Sequence, residues 1–112
     1  MAVRLNDVMN SAEIRITGVS DRKDSIGDRL PFAAIEHGDV VVRSQLPPTQ
    51  SLNDHLVWLW NMLKHQRRFL KNLQRDGGTL KCHAKTSGGS VHLLPNATEM
   101  LHLLEMELVL KR

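Results

Sequence analysis

The sequence predicts an α+β two-layer sandwich: two helices on one face of a mainly antiparallel sheet of about five strands, a ferredoxin-like arrangement in the order ββαββαβ. Three observations predict it. Several short segments alternate apolar and polar residues with the period of a strand. Residues 51–76 instead repeat leucine with the period of a helix. Glycine and proline punctuate the chain between these segments, and 112 residues suit one core, so residues 1–112 read as a single domain.

Ala12 to Thr17 (AEIRIT) places Ile14 and Ile16 on one side and Glu13, Arg15 and Thr17 on the other, the pattern of a strand with one wet face. Gly18 ends it. Val19 to Gly38 shows neither period, and Gly27, Pro31 and Gly38 break it into loop with room for one short helical turn. Asp39 to Ser44 (DVVVRS) is rich in β-branched residues and reads as a second strand, stopped by Pro47 and Pro48.

Ser51 can cap a long helix, with Asp54 three residues on favouring the positive end of its dipole. Leu52, Leu56, Leu59, Leu63, Leu70 and Leu73 form one stripe, flanked by Trp58, Met62 and Phe69 on one side and Trp60 on the other. Basic residues crowd the last turns, and Gly77 supplies a left-handed stop. Thr79 to Lys85 alternates again, with Leu80, Cys82 and Ala84 inward. Ser87 to Gly89 reads as a hairpin turn into a return strand, Ser90 to Leu94. Pro95 to Glu105 starts a short second helix, and Met106 to Lys111 closes the chain as a strand with Met106, Leu108 and Leu110 facing the core.

Composition narrows the classes of function. Hydrophobic residues at 41% and charged residues at 24% exclude a disordered chain. The longest apolar run falls far short of the roughly 20 residues that cross a bilayer. The N-terminus (MAVRLNDVMNSAEIR) lacks the apolar stretch of a secretory signal, and the single cysteine, Cys82, excludes an internal disulfide. A cytoplasmic protein is expected. The net charge of +3 is mildly basic, with acids interspersed throughout.

Several segments resemble a family of small bacterial α+β proteins of unknown function. They are AEIRITG at Ala12 to Gly18, HGD at His37 to Asp39, SLNDHLVWLWNML at Ser51 to Leu63, GTLKCHA at Gly78 to Ala84 and VHLLPNATEMLHLLEMELVL at Val91 to Leu110. The resemblance implies the α+β layout and brings no activity, ligand or catalytic residue. Between Val19 and Glu36 the chain is shorter than the family pattern and lacks its hydrophobic segment with glycine and proline.

His83 and His92, on the two arms of the expected hairpin, supply two metal ligands at most, with Glu107 needed for a third, whereas zinc sites usually recruit at least three protein ligands, so no metal is expected. His55 and His65 are too far apart along the helix to share an ion, and both read as facing away from the leucine stripe. Cys82 and His83 point to opposite faces of a strand, so the thiol reads as an inert core group. Phosphate-loop, dinucleotide and serine-hydrolase fingerprints are absent, and no cofactor is expected.

Two surfaces remain. Lys64, Arg67, Arg68, Lys71 and Arg75 share one helix flank that could meet anions, with Arg15, Lys81, Lys85 and Arg43 adding charge on the sheet. No aromatic residue falls on the strands to stack bases. Trp58 and Trp60 differ by about 200° around the helix, so one lies toward an edge, where it could form a partner surface with Val57. Alternatively the loop bearing Leu30, Phe32 and Ile35 covers it. The resulting expectation is a non-enzymatic domain that binds another protein or pairs with itself through Val57, Trp58 and Trp60. The rival is a nucleic-acid or anionic-ligand binder using the basic flank. Neither reading involves a membrane.

Overall fold

In a computed structural model, which describes residues 9–88 and 90–112, the chain runs β1 (Asn10–Thr17), α1 (Lys23–Arg29), β2 (Ala34–Glu36), β3 (Asp39–Arg43), α2 (Leu52–Leu63), α3 (Arg67–Arg75), β4 (Thr79–Thr86), α4 (Pro95–Leu103) and β5 (Glu107–Lys111). The five strands form one sheet in the order β2-β3-β1-β4-β5. Every neighbouring pair is antiparallel except β4 and β5, which run parallel. Parallel neighbours need a crossover, and α4 supplies it. The α+β class and the five strands therefore hold, with a mixed sheet. The described chain, however, runs βαββααβαβ with four α-helices rather than ββαββαβ with two, because the segment after Gly18 forms α1, the 51–76 helix is broken, and no strand follows β4 before α4.

The helices share one face of that sheet. Ile14 and Ile16 of β1, Val40 and Val42 of β3, and Leu80, Cys82 and Ala84 of β4 join a single core with Ile26, the α2 and α3 leucines, Ala97 and Met100. All six leucines of the predicted stripe are buried. Burying each gains about 2 kcal/mol relative to exposure, so this seam is the largest apolar contribution of any single segment.

Residues 51–76 are not one cylinder. Ser51 Oγ accepts the Asp54 amide at 3.0 Å as the cap requires, but a 3-10 turn at Lys64–Gln66 separates α2 from α3. The end of α3 is closed by a pair of bonds: the Gly78 amide donates to Leu73 O at 2.8 Å and the Gly77 amide to Gln74 O at 3.1 Å. Gly77 takes φ 103°, the left-handed conformation this closure demands.

Three segments differ from expectation. The return strand over Ser90 to Leu94 does not form, because β1 and β5 occupy both edges of β4. That segment is held instead by α2, where Asn53 Oδ1 accepts the Leu94 amide at 2.7 Å and Asn53 Nδ2 donates to Asn96 at 3.1 Å. The region after Gly18 holds α1 and β2, the latter joined to β3 by a two-residue turn in which His37 and Gly38 both have positive φ. Such turns match the twist of paired strands. Last, β5 carries Leu110 in register with the inward Ala84, yet Leu110 is 39% exposed rather than part of the core. Expectations about the first eight residues and the glycine ending Ser87 to Gly89 lie outside the described residues. Among the described residues no helix is long and apolar enough to cross a membrane.

Candidate functional site

The five basic residues of the predicted flank come together in space. Lys64 sits in the 3-10 turn, Arg67, Arg68, Lys71 and Arg75 follow along α3, and with His65 and Asn72 they line an open depression of about 470 Å³. Their three- and four-residue spacing keeps them on one side while Leu70 and Leu73 point to the core. Lys71 Nζ reaches Glu105 Oε1 at 2.8 Å. That hydrogen bond and the lysine charge hold the Glu105 carboxyl below its ordinary range. The other four cations have no ion-pair partner among the described residues. Lys71 and Arg75 also border a second depression with Gln74, Thr79 and Glu105, so they form the ridge between the two.

The apolar candidates separate. Trp60 is 7% exposed and belongs to the core, so its ring is not available to a partner, while Val57 and Trp58 are half-buried against that core. The position of Trp60 beside the leucine stripe, rather than opposite it, accounts for this.

On the helix-free sheet face most of the charges neutralise one another. Arg15 contacts Glu13 at 3.1 Å, Asp39 at 3.3 Å and Glu36 at 3.7 Å. Arg43 donates to both Glu36 oxygens, one at 2.6 Å, and meets Glu13 at 3.3 Å. The Arg43 hydrogen bond draws the Glu36 carboxyl below its usual range. Val41, in register with Arg15 and Ala34 amid this network, is only 1% exposed. The arginines expected to supply free positive charge are therefore committed. Lys81 lies 3.9 Å from Glu107, a weak exposed pair.

The histidines do not converge. His83 faces Glu13 and Val109 in register, whereas His92 is exposed in the irregular segment before α4. Among the described residues no group of three or more histidine, cysteine, aspartate or glutamate side chains could hold a metal ion. Cys82 is buried as expected from its inward register, and that burial pushes its thiol up to about 12.

His55 corrects the sequence reading. It is 1% exposed rather than facing water. Its position about 60° from the stripe puts it under the 44–50 loop, where Ser44 Oγ lies 2.7 Å from Nδ1. Among the described residues Nε2 is buried without a hydrogen-bond partner. Burial lowers the His55 pKa, opposed by the Pro47 carbonyl and Asp54. The same loop is tied to β1 through the Asn10 amide, which donates to Pro48 O at 2.8 Å, and Asn10 Nδ2, which donates to Gln50 O at 2.9 Å. The Ser44 and His55 pair thus anchors a loop to a helix start.

Compared with protein-family models, curated proteins and solved structures, the chain matches none. Its function must be read from its own surfaces.

Proposed function

We propose that the protein is a non-enzymatic binding domain whose partner presents an acidic protein segment to the depression over Lys64–Arg75. The observation that carries this is the gathering of Lys64, Arg67, Arg68, Lys71 and Arg75 around one concavity in which, among the described residues, only Lys71 has an acid partner. Five cations raise the local concentration of anions and speed their encounter. The groups best suited to chemistry support the non-enzymatic part: the Cys82 thiol is buried and hard to ionise, and His55 is sealed beneath a loop. The segments similar to small bacterial α+β proteins belong to the same reading, as does a cytoplasmic setting.

A protein partner is favoured over nucleic acid because no phenylalanine or tryptophan lines the depression or the helix-free sheet face to receive a base. The test is anisotropy of a short labelled glutamate-rich peptide and of a labelled single-stranded RNA, titrated at low salt with the wild type and with Lys64→Glu/Arg68→Glu. The expected result is peptide binding that weakens with salt and is lost in the double variant. Absence of peptide binding, or tighter binding of RNA, would overturn it.

A further inference from the structure

The end of the sheet formed by β5 carries a self-complementary sequence. Glu107, Leu108, Val109, Leu110 and Lys111 pair with β4 on one side, and no strand of the described residues pairs with them on the other. Natural edges of this kind are commonly blocked by a proline, a bulge, an inward charge or lysines along the strand. Within β5 there is no proline, bulge or inward charge, its one lysine, Lys111, stands at the end of the strand, and its register with β4 runs unbroken. The other edge, β2, offers only three residues.

The two faces of β5 are each incomplete. On the helix side Leu108 is half-buried and Leu110 is 39% exposed. On the helix-free side Lys111 lies directly opposite Lys85. Like charges facing one another across strands are destabilising, and neither lysine has a carboxylate partner among the described residues.

We infer that β5 is a self-pairing edge, through which two copies of this chain join antiparallel about a two-fold axis at Val109. In that register Glu107 of each copy faces Lys111 of the other, Leu108 faces Leu110, and Val109 faces itself. All five residues find a partner of suitable chemistry. A slip of one residue would bring leucines onto the charged face, since successive side chains point to opposite faces. A slip of two would leave Glu107 or Lys111 without its opposite charge. The pairing covers the exposed Leu110 with the second copy's Leu108 and gives each Lys111 the acid that its own sheet does not supply. An axis through the sheet keeps both helix layers on the same side of a continuous ten-stranded sheet, twice the five strands of one chain. None of the β5 residues lines the basic depression.

Sedimentation velocity at low ionic strength tests this with the wild type, Glu107→Lys, Lys111→Glu and an equimolar mixture of the two variants. The wild type is expected to show a concentration-dependent dimer. Each variant alone replaces two opposite-charge pairs by like-charge pairs and should weaken the dimer by about tenfold or more. The mixture restores Glu–Lys pairing at both positions and should recover association. Circular dichroism establishes that each variant is folded; should either fail to fold, the charge-swapped double variant Glu107→Lys/Lys111→Glu must dimerise as the wild type does. A wild type that stays monomeric throughout, single variants that dimerise unchanged, or a mixture or double variant that remains monomeric would each overturn the inference.

Discussion

Alanine placed at three glycines should change stability in opposite directions, for reasons that differ at each site. Gly27 lies inside α1, and a Cβ there meets nothing within 4 Å. Alanine at position 27 removes the entropy cost of a helical glycine and should stabilise by about 0.5–1 kcal/mol. Gly77 also has open space around it, but its φ of 103° is one that alanine adopts only at a cost of about 1–2 kcal/mol. Gly78 has no such conformational demand, yet an added Cβ would stand 2.9 Å from Leu73 O and 3.0 Å from Val19 Cγ1. That oxygen accepts the Gly78 amide at 2.8 Å, so relieving the clash strains the bond that closes α3. The loss of that bond, worth about 1 kcal/mol, adds to the steric cost, for a total of about 2 kcal/mol. Urea unfolding followed by tryptophan fluorescence is a suitable assay, because Trp60 is buried in the native state. The midpoints should order as Gly27→Ala above wild type, then Gly77→Ala, then Gly78→Ala, with slopes unchanged. A destabilised Gly27→Ala or a neutral Gly77→Ala would refute the assignment of these conformations.

Other consequences follow from buried groups. Cys82, with its thiol pushed up to about 12, should resist a thiol reagent at neutral pH and react only as the chain unfolds, so its labelling rate should track urea concentration. His55 binds a proton less readily in the folded chain than in the unfolded one. Its contribution is therefore present above the ordinary histidine range, near 6.5, and declines as pH falls below it. His55→Leu should flatten that decline while lowering stability at neutral pH by about 1 kcal/mol through the lost Ser44 contact, both read from urea midpoints across pH.

How far these features can be read from sequence depends on whether a residue's environment is set locally. The leucine stripe of 51–76 is legible because each position repeats the same demand for a core, and all six leucines answer it. The 3-10 break at Lys64–Gln66 interrupts the backbone without moving an apolar residue off that face, so the pattern carries no trace of it. Val91 and Leu93 alternate like a strand, but their alternation is satisfied by half-burial against the core with no ladder. Strand order decides that case, and order is a property of the whole sheet. The α1 helix left a usable signal in Ile26 and Leu30, four residues apart and both fully buried. For the surfaces, spacing alone located the basic depression. It could not show that Arg15 and Arg43 are neutralised by Glu13, Glu36 and Asp39, because those acids arrive from three different strands.

The central claim, that the basic depression is the binding surface, is tested most directly by backbone amide chemical shifts of labelled protein titrated with the glutamate-rich peptide. Changes confined to residues 64–75 and the neighbouring Glu105 are expected. Changes centred on Glu13, Arg43 and His83 of the helix-free face, or none at saturating peptide, would contradict it.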